Sequence, residues 1–314
     1  YKGGYNISCY GATDGRLEAI IIGGTPPYSF QWSNGAFTKT IFGLAAGTYS
    51  ITVTDSLQAS VTKSYTLMGP DAMTGSLIVS TYNGGYNVSA QGANDGWITT
   101  EIGGGAPPYT FQWSNGVETE NNHELTSGAY SVVVRDVNQC QLQLSASLTQ
   151  PTPLHIVSIT SPLHNGYNVS CKGGEDGAVN LTVSGGVPPY TYQWNNGNFT
   201  EDLQGLKAGN YSVQVKDANS VQVTASITLS QPAGLEVALS APTYPNGHHT
   251  TCYNCSNGSV TTTVTGGVMP YTYSWNTGQN TQNLSNLMAG TYSVLVTDAN
   301  GCTKPDVKID LTEP

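Results

Sequence analysis

Short runs of alternating apolar and polar residues, separated by breaks rich in Gly and Pro, recur along the whole chain. Residues 178–183, for example, read Ala-Val-Asn-Leu-Thr-Val, which is the period-two pattern of a strand with one buried face. After a Gly-Gly and Pro-Pro break, Tyr190, Tyr192 and Trp194 fall on one face of the next strand. We predict further strands around residues 154–159, 167–171, 199–203, 211–215 and 221–229, and no helix.

The same order of elements is written four times. The segment Gly-Gly-x-Pro-Pro-Tyr-x-aromatic-Gln-Trp is clearest at residues 185–194, and its four versions end at tryptophans spaced 81 residues apart: Trp32, Trp113, Trp194 and Trp275. A later tyrosine keeps the same step: Tyr49, Tyr130, Tyr211 and Tyr292. A period of this length predicts an array of similar small domains, since solenoid units are shorter.

Six or seven short strands per period, with turn signals between them, predict a β-sandwich. A Trp on the central strand and a tyrosine corner would make the sandwich immunoglobulin-like. The Ala-Gly-x-Tyr run at residues 208–211 fits such a corner at the start of the penultimate strand. We therefore expect the Trp and Tyr columns to form the structural core of an all-β tandem array of four immunoglobulin-like β-sandwich domains.

Pro after Gln at 150–151 and 231–232 marks domain boundaries, because Pro cannot donate to a strand ladder. We predict domains over residues 1–70, 71–151, 152–232 and 233–314. The short linkers predict an end-to-end rod on the order of 120–160 Å long. Repeats two to four open with a strand that has no counterpart in repeat one. We expect preceding residues, or a neighbouring subunit in a head-to-tail filament, to supply it.

Charged residues make up only 10% of the chain, and the polarity comes from hydroxyl and amide groups, a composition common in secreted and cell-surface proteins. The net charge is −10 and the few basic residues are scattered, which argues against a nucleic-acid partner. No apolar run approaches the length of a membrane span. These features predict an extracellular protein with no membrane span.

The run Leu-x-Ala-Gly-x-Tyr-Ser-Val-x-Val-x-Asp-Ala-Asn-Gly-Cys, most complete at residues 287–302, together with the Gly-Gly-x-Pro-Pro-Tyr segment, resembles the SprB-type repeat of bacterial gliding-motility surface adhesins. The resemblance covers nearly the whole chain. It implies a long, non-enzymatic surface protein, exported by type IX secretion and forming filaments on the exterior of the outer membrane.

Five of the six cysteines occupy two columns of the repeat, Cys9, Cys171 and Cys252 in the first and Cys140 and Cys302 in the second. The resemblance implies a disulfide between the columns within one domain. Only repeat four fills both columns, so we expect a disulfide between Cys252 and Cys302. The other cysteines are Cys9, Cys140, Cys171 and Cys255. The sequence leaves their state open between free buried thiols and bonds to another domain or chain.

Residues 248–255, His-His-Thr-Thr-Cys-Tyr-Asn-Cys, have the composition of a zinc clip, although an oxidising environment favours disulfides such as Cys252–Cys255. A further set of aspartates, from Asp55 to Asp298, recurs every 81 residues. With these, Asp-Gly pairs at 14–15, 95–96 and 176–177 would supply oxygen ligands for calcium, but Asp-Gly also favours tight turns. We expect no cofactor, with calcium as the open exception.

No set of Ser, His and Asp or of paired carboxylates recurs at a catalytic spacing, so we predict a protein that is not an enzyme. The aromatic face of the central strand is better explained by core packing than by sugar binding. The prediction is a structural and adhesive segment of an extracellular filament used in surface attachment or gliding. Its expected partners are further copies or repeats joined head to tail, and a surface or glycan ligand that the sequence does not identify. The alternative is an array of carbohydrate-binding modules from a secreted polysaccharide-active protein.

Overall fold

The computed structural model describes all residues from Tyr1 to Pro314. Two 3₁₀ turns, Lys2–Gly4 and Asn83–Gly85, are its helical segments. Neither has the length or the apolar character that crossing a lipid bilayer requires. The chain forms two compact units, Tyr1–Pro153 and Leu154–Pro314, and each unit contains two of the 81-residue repeats.

Each repeat is built from short strands. In repeat one these are β1 (Gly15–Glu18), β2 (Ser29–Trp32), β3 (Thr40–Leu44), β4 (Gly47–Thr54) and β5 (Ser60–Leu67). In repeat two they are β6 (Thr74–Val79), β7 (Gly96–Gly103), β8 (Thr110–Trp113), β9 (Asn122–Leu125), β10 (Gly128–Arg135) and β11 (Gln141–Leu148). In repeat three they are β12 (His155–Thr160), β13 (Gly177–Ser184), β14 (Thr191–Trp194), β15 (Leu203–Leu206), β16 (Gly209–Lys216) and β17 (Gln222–Leu229). In repeat four they are β18 (Glu236–Ser240), β19 (Gly258–Thr265), β20 (Thr272–Trp275), β21 (Leu284–Leu287), β22 (Gly290–Thr297) and β23 (Thr303–Leu311).

The strands of repeats two, three and four form two antiparallel three-stranded sheets per repeat. In repeat three, the first, second and fourth strands pair in the order β12-β13-β15, and the others pair in the order β14-β16-β17. This division of strands is that of an immunoglobulin-like sandwich, so the expected all-β tandem array is the observed fold. Repeat one differs, because its first sheet contains only β1 and β3.

The core of each repeat lies between the two sheets and follows the alternation read from the sequence. Within β13, Val179 and Leu181 are buried, whereas the residues between and beside them are exposed or half-buried. The buried core of repeat three consists of Val179, Leu181, Trp194, Leu203, Leu206, Val213, Val215 and Leu229. The four column tryptophans are 2–5% exposed.

Three details of the predicted elements are wrong. The strand predicted around residues 199–203 begins only at Leu203, as β15. Residues 167–171 form no strand; the amide groups of Asn168 and Val169 donate instead to the carbonyl of Ser230, which attaches this segment to the end of its own domain. The Gly of each Asp-Gly pair does not form a hairpin turn either. Gly177 begins β13, where an added Cβ would lie 2.8 Å from the carbonyl oxygen of Leu206, so Gly is required there by close packing.

Candidate functional site: the junctions between paired repeats

Within each unit the two repeats are joined by a disulfide. In the first unit Cys9 is bonded to Cys140, and in the second Cys171 is bonded to Cys302; each pair has a Cα–Cα distance of 5.7 Å. The expected Cys252–Cys302 bond is therefore wrong. In both cases the first cysteine column of one repeat meets the second column of the next repeat, because the turn that carries the second column faces the preceding domain.

The turn that carries the second-column cysteine is held by a buried aspartate. In repeat four, Oδ1 of Asp298 accepts hydrogen bonds of 2.9 Å from the backbone N–H groups of Asn300 and Cys302. Its Oδ2 accepts a third, also 2.9 Å, from the N–H of Val268 in the Gly-Gly-x-Pro loop. A buried carboxylate needs such partners, and together they fix the cysteine backbone relative to the rest of the sandwich. Asp136 does the same for Cys140 in repeat two.

An asparagine two residues before the second-column cysteine adds polar contacts across each junction. In the second unit, the side-chain amide of Asn300 donates to the carbonyl oxygens of Ser170, at 2.9 Å, and His164, at 3.2 Å. Its carbonyl oxygen accepts a hydrogen bond of 2.6 Å from Asn165. In the first unit, Asn138 makes two hydrogen bonds of 3.1 Å with the backbone of Lys2. The disulfide is thus the centre of a small polar interface.

The acceptor side of the second junction also carries a shifted carboxyl group. Asp176 accepts a hydrogen bond of 3.1 Å from the backbone N–H of Ser170, the residue before Cys171. Hydrogen bonding from Ser170, mainly from its hydroxyl, lowers the pKa of Asp176 below its usual value. His164 lies 3.9 Å away and favours the same charged form. Asp176 therefore serves to hold the cysteine-bearing segment.

The junction between repeats two and three has no cysteine at either of the equivalent positions. Ala90 stands in the first column of repeat two, and Val221 stands in the second column of repeat three. Covalent joining therefore alternates along the chain. The first and second repeats are paired, the third and fourth are paired, and no disulfide joins the two pairs.

The remaining cysteines, Cys252 and Cys255, are bonded to each other with a Cα–Cα distance of 5.2 Å. This pairing removes both thiolates from the zinc clip weighed from the sequence. The structure contains no group of three or more His, Cys, Asp or Glu side chains placed to hold a metal ion. The turn residues considered for calcium, such as Asp95, accept hydrogen bonds from backbone N–H groups instead.

The Gly-Gly-x-Pro-Pro-Tyr segment forms a loop that its own tyrosine closes. In repeat three the hydroxyl of Tyr190 donates to the carbonyl of Gly185 at 2.6 Å, and the peptide bond between the two prolines is cis. The indole N–H of Trp194 donates to the carbonyl of Thr200 at 2.8 Å. The polar groups of these aromatic side chains are thus used inside the domain.

The tyrosine column forms the predicted corner. In every repeat its hydroxyl donates to the carbonyl four residues upstream, at 2.9–3.1 Å; the donors are Tyr49, Tyr130, Tyr211 and Tyr292. Tyr292 is buried, and the other three are half-buried. The hydrogen bond attaches the start of the fifth strand to the preceding loop.

In a comparison with protein-family models, the chain matches one family. The SprB repeat model matches four stretches of the chain, residues 5–37, 87–118, 167–199 and 250–280. A comparison with curated proteins gives no match.

Several solved structures are similar over most of the chain at low identity. A tetra-tandem repeat from the extending region of a large adhesion protein is 16% identical, with 98% of this chain and 97% of that chain covered and a TM-score of 0.28. A Ca²⁺-stabilised adhesin of an Antarctic bacterium is 15% identical, with coverages of 91% and 89% and a TM-score of 0.39. The eight N-terminal Ig domains of the Down syndrome cell adhesion molecule are 12% identical, with coverages of 95% and 58% and a TM-score of 0.25.

Proposed function

We propose that this chain, which matches the SprB repeat model at four stretches, is a non-enzymatic, tension-carrying segment of an extracellular adhesive filament used in surface attachment or gliding. The observation that carries the proposal is the pair of disulfides that join consecutive repeats. Disulfides persist in oxidising surroundings outside the cell, which supports a place on the cell surface. Type IX export and the outer-membrane exterior belong to the same proposal, and both rest on the resemblance.

The disulfides determine which parts of the chain carry tension. Each bond joins cysteines 131 residues apart in the sequence, so a pulling force crosses from Cys9 to Cys140, and from Cys171 to Cys302, without passing through the residues between them. The load then runs along β11, the linker after it, β12 and the segment up to Cys171, and leaves the chain through β23. Most of each sandwich lies outside the load path and stays folded while the chain is stretched.

The alternative, an array of carbohydrate-binding modules, finds no support in the site. A sugar platform needs exposed aromatic rings, whereas the column tryptophans are 2–5% exposed. Filament formation by head-to-tail continuation, and the end-to-end rod, remain predictions from the sequence.

Single-molecule stretching from the two chain ends tests the load path. In oxidising buffer we expect complete extension to reach about 180–190 Å, because only the segments outside the two disulfide loops contribute, at about 3.5 Å per residue. After reduction the same chain should extend to about 1,100 Å. Replacing Cys171 and Cys302 by Ser should add about 450 Å in oxidising buffer, the length of one released loop.

A variant with Cys252 and Cys255 replaced by Ser is the matched control. The disulfide that this variant lacks spans a sequence separation of only 3. Its loss should therefore leave the maximum extension unchanged within about 10 Å. Extension of the unmodified chain by many hundreds of ångströms in oxidising buffer would contradict the proposal.

A further inference from the structure

Repeat four carries two cysteines in one tight turn, where each other repeat carries at most one. The backbone N–H of Cys255 donates to the carbonyl of Cys252 at 3.1 Å. The other repeats form the same turn, but a small residue stands there at the position of Cys255: Ala12, Ala93 or Gly174. A turn common to all four repeats therefore places the two sulfur atoms of a Cys-x-x-Cys sequence side by side, and they are bonded to each other.

Hydrogen bonds fix the backbone of this turn. Asn254 has a φ of 57°, in the left-handed region where the other repeats have glycine. The N–H of Thr251 donates to the side chain of Asn257 at 3.2 Å, and the N–H of Asn254 donates to the carboxylate of Glu313 at 2.7 Å. These hydrogen bonds do not involve the sulfur atoms, so we expect the turn to keep its shape when the disulfide opens.

Exposure distinguishes this disulfide from the two that join domains. Cys252 is the one exposed cysteine of the six, the others are half-buried, and Tyr253 beside it is 72% exposed. The disulfides that join domains lie between two sandwiches, and the bond between Cys171 and Cys302 is flanked by the hydrogen bonds of Asn300. Access to the sulfur is one of the factors that decide which disulfide a thiolate attacks. An external thiol therefore reaches Cys252 first.

We propose that the Cys252–Cys255 disulfide is a thiol-exchange site for small thiols. An external thiolate attacks Sγ of Cys252 and forms a mixed disulfide with it. The bond to Cys255 breaks, and its electron pair leaves on Sγ of Cys255 as a thiolate. One disulfide is lost and one is formed, so the step needs no reactant besides the thiol. The thiolate of Cys255 reverses the step when it attacks the mixed disulfide and expels the thiol. The inference does not depend on the adhesive role.

Reaction of the native full chain with reduced glutathione tests the site. The reaction would be quenched with N-ethylmaleimide, and the modified peptides identified by mass spectrometry. We expect a product with glutathione on Cys252 and the maleimide on Cys255. It should form at least about tenfold faster than any modification of the other four cysteines. The proposal is overturned if the disulfides that join domains open as fast, or if the folded chain gives no such product.

Two single substitutions separate the two sulfur atoms. Cys255→Ser leaves Cys252 as an exposed thiol, whereas Cys252→Ser leaves the half-buried Cys255. With oxidised glutathione, the first variant should form a mixed disulfide at least about fivefold faster than the second, because reactivity depends on exposure. Equal rates, or a faster reaction of the second variant, would overturn the assignment of Cys252 as the attacked sulfur.

A change of charge tests the site with both cysteines in place. In repeats two and three, Gln150 and Gln231 accept the hydrogen bond that Glu313 accepts in repeat four. Glu313→Gln can keep this hydrogen bond but removes a negative charge beside the disulfide, so anionic glutathione should react about threefold faster. Glu118→Gln makes the same change at an exposed position of repeat two and should leave the rate unaltered. Equal rates for the two variants would place the reacting disulfide away from Glu313 and overturn the proposal.

Discussion

At the scale of the residue, three side chains in each repeat have distinct structural roles. The Trp fills the core, the Tyr closes the corner, and the Asp holds the loop before the last strand. The Trp and Tyr roles could be predicted from the sequence because they depend on local strand position. The role of the Asp could not, since its partner Val187 lies 30 residues upstream of Asp217. Only the folded sandwich brings those two residues together.

Truncation of a column tryptophan should unfold its own domain preferentially. Trp194→Ala removes a fully buried indole and should lower the free energy of unfolding of repeat three by about 3–5 kcal/mol. Phe199→Ala is the control: this ring is 70% exposed, and its loss should change stability by less than about 0.5 kcal/mol. Hydrogen exchange, followed separately for each repeat, measures the change in stability for both variants. Equal effects of the two substitutions would refute the assignment of the Trp column to the core.

Acid should loosen the segment before Cys171. The pKa of Asp176 is lowered in the folded protein, so its contribution to stability is complete above the unfolded value of about 3.9. That contribution is lost as the pH falls through the lower, folded pKa. The amide resonance of Ser170, followed by NMR between pH 5 and pH 2, should therefore shift with an apparent pKa below the ordinary value of an aspartate.

Repeat four provides the control for this titration. There Asn257 takes the place of the aspartate and accepts the equivalent hydrogen bond from the N–H of Thr251 at 3.2 Å. An amide side chain does not titrate, so the Thr251 resonance should not follow such a transition. A Ser170 resonance that is independent of pH would contradict the role given to Asp176.

At the scale of the element, period-two alternation located the strands well and the turns poorly. The strand β13 begins one residue before the predicted run and ends one residue after it. The Asp-Gly pair failed as a turn signal because the same dipeptide also satisfies a different constraint, the close approach of two backbones. In repeats two, three and four the strand starts with a glycine whose added Cβ would lie against the carbonyl oxygen of a leucine; these glycines are Gly96, Gly177 and Gly258.

Gly177→Ala should reveal that constraint. Its Cβ would lie 2.8 Å from the carbonyl oxygen of Leu206 and 3.0 Å from Leu229. Because the surrounding atoms must move to make room, the free energy of unfolding should fall by about 1–3 kcal/mol. Gly103→Ala is the control, because its Cβ would meet only the Thr74 hydroxyl, at 3.2 Å. Chemical denaturation should show the first protein destabilised and the second nearly unchanged. Equal stability of the two variants would contradict the packing argument.

At the scale of the whole molecule, the disulfide connectivity differs most from the prediction. The resemblance implies a pairing of the two cysteine columns inside one domain, whereas the disulfides join consecutive domains. A signal was present: repeats one, two and three each hold a single cysteine, and a lone cysteine cannot form a bond within its own domain. The separation of 131 residues also occurs twice.

Peptide mapping under non-reducing conditions is the direct test of this connectivity. The native protein would be digested at low pH, where thiol exchange is slow, and the linked peptides identified by mass spectrometry. We predict one linked pair containing Cys9 and Cys140, a second containing Cys171 and Cys302, and an internal bond between Cys252 and Cys255. A linked pair that joins Cys252 to Cys302 would contradict the disulfide connectivity between consecutive repeats, and with it the load path through paired repeats.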